Sequence, residues 1–386
     1  MKTIAIDVRL IGRHRTGDEA VFRNLVRSLL ELDRTNRYVL LTDLTGEEAK
    51  NALLPVIASE GTLPENARIV TLSAGGKFSW NLFCVPLFLV RNKIDVFHTQ
   101  YILPLFVPGR TSVVAHIHDV SFKAFPKYIG LMDRIFLTAF IPKTMRRSDK
   151  LMVPSIFTRD EIMKRFGVPS DKIAVIPNAL DPSFLVQPTK GDLSRIRSTY
   201  GLPDRFILSV GTMQPRKNIA LLVRAFARIR KVDPGLKLVL VGGKGGRHYD
   251  HGIDDVIREE CLEDSIIFPG YVCQEDMPAF YTSATVLAFP SRYEGFGIPL
   301  LEAFSAGTPV SASDIPPFRE VGGDAVSYFD PSDIAGCADS LYTLVIDENA
   351  RLRQERSGKN RLRLYSWSDS AREIVACYES FSEHKS

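Results

Sequence analysis

Cysteine is scarce and scattered in this 386-residue chain. The five thiols, Cys84, Cys261, Cys273, Cys337 and Cys377, include no Cys-x-x-Cys pair, which argues against a disulfide framework and against a zinc ribbon. Free thiols fit a reducing compartment, so a cytoplasmic location is expected. Long apolar runs are missing as well: no window reaches the roughly 18 residues that a membrane-spanning helix needs. The best candidate, Trp80 to Val90, is short and is interrupted by Asn81 and Pro86. The opening MKTIAIDVRL lacks a signal peptide's long apolar region and cleavage site, and reads as a first strand. Charge of one sign is not in excess, since a net +4 does not by itself point to nucleic acid. No Gly-x-Gly-x-x-Gly follows the first strand, which argues against a dehydrogenase. The glycine-rich VGGKGGRHYDHG, residues 241 to 252, lacks the order of a phosphate-binding P-loop and reads as a cleft loop. His116 and His118 alternate on one strand face, but no third ligand stands at a suitable spacing, so no metal is expected.

What is present is regular alternation. Hydrophobic residues make up 45% and charged residues 24%, as in ordinary globular proteins, and the length fits two domains better than one core. Apolar strands are expected at Thr3–Val8, Tyr38–Thr42, Arg68–Leu72, Asp95–Thr99, Thr111–His118, Lys150–Pro154 and Ile173–Pro177. A second series is expected at Phe206–Val210, Lys237–Val241, Ile266–Phe268, Thr285–Phe289, Pro309–Ala312 and Val326–Phe329. Helical periodicity between them, as in Val21, Leu25, Leu29 and Leu32 of a helix over Asp18 to Leu32, predicts two α/β domains with parallel sheets. The helix-breaking VIPNALDPSF, residues 175 to 184, separates the two series.

The richest stretch is residues 282 to 310, TSATVLAFPSRYEGFGIPLLEAFSAGTPV. It reads as a buried strand, a turn over Ser291 to Gly297, a helix from Ile298 to Ala306 with Pro299 in its first turn and Gly307 past its end, and a further strand. Glu294 then sits at a strand's carboxyl end and Glu302 one turn into an apolar helix, both expected to face one crevice. Open α/β sheets bind ligands there, because amides at a helix start favour anions. Either carboxylate alone also fits an ordinary solvated turn or helix stripe. In the segment GTMQPRKNIALLVRAF, Gly211 permits a tight turn and Arg216 and Lys217 precede a helix, cations suited to a diphosphate or to a plain surface. In the first half, His118 and Asp119 close the fifth strand, and the loop GRHRTGDEA offers Arg13, Arg15 or Thr16 before a helix.

The stretch PSRYEGFGIPLLEAFSAGTPV resembles the Glu-x7-Glu signature of retaining nucleotide-sugar glycosyltransferases of family 4, and the resemblance extends over nearly the whole chain. It implies the GT-B fold, with two Rossmann-like domains facing a cleft: residues 1–180 binding the acceptor, 181–366 binding the donor, and a last helix in 367–386 crossing back to the first domain. The resemblance also implies roles. His118 and Asp119 line the donor sugar, and Glu294 contacts its hydroxyls. Gly295, Phe296, Gly297, Ile298 and Leu301 border the sugar and phosphates, with the Phe296 and Gly297 amides as donors. Glu302 takes the ribose hydroxyls, and Tyr271 and Val272 read the base through their backbone. Gly211, Thr212, Arg216 and Lys217 form the pyrophosphate site, and Gly17 belongs to the first-domain loop. Two positions depart from the family pattern: Glu19 replaces a second glycine, and Thr212 stands where many relatives have Arg, leaving the second cationic role to Arg216.

The implied reaction moves a hexose, with mannose from GDP-mannose favoured by PRKN and HDVSF, to a hydroxyl of a glycan or lipid-linked acceptor. The nucleoside diphosphate sugar is a co-substrate, and neither cofactor nor metal is expected. Basic residues between Asp133 and Arg165 suit either solvated helices or peripheral contact with an anionic membrane. Two other readings stand beside this one: a nucleotide-sugar epimerase or hydrolase on the same fold, and a non-catalytic nucleotide-sugar-binding subunit.

Overall fold

The computed structural model describes residues 1–13, 17–58, 61–126, 130–244 and 249–381. Thirteen strands among them form two wholly parallel sheets, ordered β3-β2-β1-β4-β5-β6-β7 and β10-β9-β8-β11-β12-β13. The first sheet comprises β1 (Thr3–Asp7), β2 (Arg37–Thr42), β3 (Ala67–Thr71), β4 (Val96–Gln100), β5 (Ser112–His116), β6 (Lys150–Val153) and β7 (Ile173–Val175). The second comprises β8 (Phe206–Val210), β9 (Lys237–Val241), β10 (Ile266–Gly270), β11 (Val286–Phe289), β12 (Val310–Ser313) and β13 (Ser327–Phe329).

These runs become strands because both faces are covered. In the second sheet, Leu208, Val239 and Leu287 enter one core while their neighbours Ile207, Leu238 and Val286 enter the other, the two-residue alternation of a strand buried on both sides. The helix Ile219–Val232 covers one face with Leu222, Ala225, Phe226 and Ile229, all nearly or wholly buried.

Each sheet reverses direction once, between β1 and β4 and between β8 and β11. At such a reversal, the loops leaving the two adjacent strands run to opposite sides of the sheet and open a crevice at the carboxyl ends. That topology puts the loops after β8 and β11 side by side.

The chain separates into two compact units, the first made of residues 1–120, 132–179 and 366–386 and the second of 121–131 and 180–365. The first unit is discontinuous: the last helix, Trp367–Ser380, packs on the helix Asp18–Leu32, and its Ser370 hydroxyl donates to the Pro177 carbonyl at 2.6 Å. The segment Ser121–Leu131 clusters with the second unit, whereas the sequence reading counted it in the first. β5 stops at His116, two residues short of expectation, so His118 lies beyond the strand. The apolar run Trp80–Val90 is a π-helical turn, Trp80–Cys84, continued by the helix Val85–Arg91. Among the described residues no helix is long and apolar enough to cross a membrane.

Candidate active site

In the second unit the site begins where β8 ends. Gly211 has φ 141°, a conformation that side chains disfavour, and Gly242 after β9 presses against it. A Cβ on Gly242 would lie 2.1 Å from the Gly211 carbonyl oxygen, so only glycine lets the two turns touch. Beyond this turn Pro215–Lys217 form one 3-10 turn, and Asn218, at φ 59°, redirects the chain into the helix Ile219–Val232. The Arg292 amide donates to the Arg216 carbonyl at 2.8 Å, which joins the loops after β8 and β11.

Across that join the charged side chains meet. The Lys217 ammonium donates to Glu294 Oε1 at 2.6 Å, and Arg216 Nη1 donates to Glu294 Oε2 at 3.1 Å. Arg216 Nη1 also lies 3.2 Å from the Tyr293 carbonyl, and Ser291 Oγ donates to Glu294 Oε1 at 2.7 Å. Burial alone would raise the Glu294 carboxyl, but the Lys217 and Arg216 charges and the bonds from Lys217 and Ser291 outweigh it and hold the group at about 2. Glu294 is therefore an anion at any physiological pH and accepts hydrogen bonds without giving a proton. Gly211, Thr212, Lys217, Phe289 and Ser291 line one small cavity here.

The turn then leads into the helix Ile298–Ala306. Gly297, at φ 116°, is its N-terminal cap, and a Cβ there would sit 3.0 Å from the Phe318 ring. Phe296 and Leu301 are buried in the core, so their side chains support the turn and only their backbone is available to a ligand. Glu302 does not share the partners of Glu294: the Tyr281 hydroxyl donates to its Oε2 at 2.5 Å. Burial, with a smaller repulsion from Asp181, lifts its carboxyl to about 7 against the lowering effect of that hydrogen bond. Among the described residues no group of three or more His, Cys, Asp or Glu is placed to hold a metal.

Two family profiles cover most of the chain: "Glycosyltransferase Family 4" matches residues 16–184 and "Glycosyl transferases group 1" matches residues 194–361. The chain belongs to the family 4 glycosyltransferases. It is 28% identical to O-antigen chain mannosyltransferase B of Escherichia coli over 71% of its own length and 72% of that protein's. It is also 28% identical to O-antigen chain mannosyltransferase RfbU of Salmonella typhimurium, over 63% of its own length and 62% of the relative's. Anabaena Alr3699/HepE, crystallised with UDP and glucose, superposes with a TM-score of 0.74 over 99% of this chain and 100% of that one, at 17% identity. Likeness at that identity concerns the fold, which is GT-B.

In the first unit of this glycosyltransferase, His118 is buried and its Nε2 lies 2.9 Å from Gln100 Oε1. Asp119 follows it, partly exposed. Gly17 caps the helix Asp18–Leu32 at φ 36°, while Arg15 and Thr16 lie outside the described residues. Arg13 pairs with Asp43 at 2.5 Å. The departure at Glu19 has a structural use: its carboxylate accepts the Gly12 amide at 2.8 Å, so the side chain occupies a donor that a glycine would leave open. Tyr271 is 69% exposed just past β10, whereas Val272 is buried in the core.

The structure therefore unites Gly211, Thr212, Arg216, Lys217 and Glu294, and gives Glu302 a separate partner. Sequence reading missed Ser291, Tyr281 and Gln100. Ser291 stands three residues before Glu294 and was visible as a short-range partner. Tyr281 and Gln100 carry no local signal, since Tyr281 meets Glu302 across two packed helices and Gln100 meets His118 across neighbouring strand ends.

Proposed function

We propose that the enzyme transfers a hexose, mannose from GDP-mannose in the favoured case, to a hydroxyl of a glycan or lipid-linked acceptor, with retention and without a metal. The observation that carries this reading is the Lys217–Glu294–Arg216 cluster at the reversal of the second sheet. A departing diphosphate develops negative charge, which a bidentate-capable Arg and a compact ammonium neutralise directly. When phosphates draw Lys217 and Arg216 toward them, Glu294 is left as an ionised acceptor for sugar hydroxyls. A carboxylate held at about 2 is unsuited to general acid catalysis, so the pairing of acid and nucleophile used by retaining glycosidases does not fit it. Attack from the face that the leaving group vacates, with a phosphate oxygen taking the acceptor's proton, needs no protein nucleophile. Mannose is supported by the names of the two mannosyltransferase relatives and by the Pro215-Arg216-Lys217-Asn218 stretch.

Transfer and donor hydrolysis should be measured across a panel of nucleotide sugars with Glu294→Ala, Lys217→Ala and His118→Ala. Each is expected to lower turnover at least tenfold, since each removes a charge or hydrogen bond to the reacting group. Turnover near wild type in all three defeats the site assignment. Free nucleotide without glycosylated product favours a hydrolase or epimerase, and binding without either favours a non-catalytic subunit.

A patch of the first unit beside the basic stretch supports an anionic bilayer as partner. Phe78, Phe83, Leu87, Val90, Leu105 and Phe106 are 47–68% exposed. Residues 66–94 contain no Asp or Glu and carry Arg68, Lys77, Arg91 and Lys93. Exposed apolar side chains on a stretch whose charged residues are all cations suit lipid headgroups better than water. The basic helix Leu131–Arg147 adjoins it, as Phe136 meets Phe78 at 5.9 Å and Arg147 donates to the Leu105 carbonyl at 2.9 Å. Phe83→Ser with Leu87→Ser is expected to abolish flotation with phosphatidylglycerol vesicles. No flotation of the wild type, or flotation unchanged in the variant, removes the proposal.

A further inference from the structure

β4 ends at Gln100, whose Cα partner on β5 is His116, and His118 follows two residues later on the same side of the chain. The His118 ring is held on three sides. Its Nε2 is 2.9 Å from Gln100 Oε1. His116 stacks on it with ring centroids 4.6 Å apart, and the Tyr101 ring lies at 5.6 Å. Tyr101 has φ 53°, a left-handed backbone that a bulky residue rarely adopts, and its amide donates to the His116 carbonyl at 3.0 Å. His116 in turn lies parallel to His98 at 6.2 Å, and His98 Nδ1 is 2.6 Å from the Tyr378 hydroxyl. Both inner histidines are wholly buried, and burial lowers both imidazoles, His98 to about 3, so the wall behind His118 is uncharged at neutral pH.

An amide oxygen only accepts, so the ring atom facing it carries the hydrogen. In the neutral ring this leaves the lone pair on Nδ1, an atom with no hydrogen-bond partner among the described residues. We propose that Gln100 is a positioning residue that fixes His118 in its Nε2–H tautomer, so that Nδ1 accepts a hydrogen bond from a hydroxyl of the bound sugar. The second half of that statement rests on the placement of His118 at the donor sugar given above. A ring locked this way selects a donor group. It accepts a hydroxyl's hydrogen and repels a phosphate oxygen, whereas the opposite tautomer would present an N–H able to donate to either.

The test reads the tautomer directly. Full-length protein labelled with 15N-histidine is examined by long-range 1H–15N correlation at pH 7.5, with His118 assigned by its loss in His118→Ala. Wild type is expected to show a neutral ring protonated at Nε2. Gln100→Glu keeps an acceptor and should keep that pattern, while Gln100→Leu should lose it. Transfer by Gln100→Leu should fall about 10- to 100-fold in kcat, taking the range for partners that orient metal-bound histidines as the guide, with partial rescue in Gln100→Glu. An Nδ1–H ring in wild type, or an unchanged ring in Gln100→Leu, overturns the positioning role. A shifted tautomer with unchanged kcat overturns its link to the reaction. If no donor is turned over by wild type, the functional reading fails while the spectrum still decides the tautomer.

Discussion

Replacing Glu294 by Gln tests the electrostatics of the site without altering its shape. The carboxyl is held at about 2 in place of its ordinary 4.5, and each tenfold change in acidity corresponds to about 1.4 kcal/mol. A group whose folded pKa is depressed contributes stability above its unfolded pKa and loses it as pH falls through the folded value. Glu294 therefore contributes about 3 kcal/mol at pH 7, falling to about 1 kcal/mol by pH 3, with the side chain only 12% exposed so that solvent screens it little. The amide keeps the shape and an acceptor for Lys217 and Ser291, so the loss tracks charge. At about 2–4 °C per kcal/mol for a unit of this size, the melting point of the second unit should drop by about 6–12 °C at neutral pH. Thermal denaturation of wild type and Glu294→Gln between pH 7 and pH 3 measures it. A deficit that stays constant across that range, or no deficit at pH 7, refutes the reasoning.

Glu302 should behave in the opposite sense. Its carboxyl is raised to about 7, so ionisation destabilises the fold as pH rises from 4.5 to 7, and Glu302→Gln is expected to be more stable than wild type at pH 8 but equal to it at pH 4. Because the residue is partly exposed, the gain is about 1–2 kcal/mol, read from urea midpoints. Gly242→Ala should disrupt the contact with the Gly211 carbonyl and destabilise the second unit by about 2–4 kcal/mol, and it should weaken nucleotide binding through the displaced turn at Gly211 and Thr212. Differential scanning calorimetry with and without UDP or GDP separates the two effects.

Much of the fold was legible because buried parallel strands read as apolar runs. Phe206–Val210 and Lys237–Val241 match the expected bounds, as do the helices Asp18–Leu32 and Ile298–Ala306, where Asp18 begins and Gly307 ends a regular pattern. Strand ends near polar residues were less clear: His118 looks like a continuation of β5, yet the sheet pairing stops at His116. Lys217 and Glu294 were both visible as candidates from a motif. Their pairing was not, because 77 residues separate them and only the order β8-β11 makes them neighbours. Glu302 shows the same limit from the other side. Its hydrogen-bond partner, Tyr281, lies 21 residues away on the preceding helix, and nothing in the local pattern names it.

The last helix also bears on how the protein is made. Trp367–Ser380 completes the first unit against the helix Asp18–Leu32, and its Tyr378 hydroxyl reaches His98 on β4. A ribosome therefore releases the second unit, nearly continuous in sequence, before the first has its final layer. Until residue 380 emerges, the part of the helix Asp18–Leu32 that faces the last helix is left uncovered, and chains cut short ahead of Trp367 should lean on chaperones or precipitate. Closing a loop of several hundred residues adds little entropy beyond that of a shorter one, so the delay is a matter of timing more than of stability.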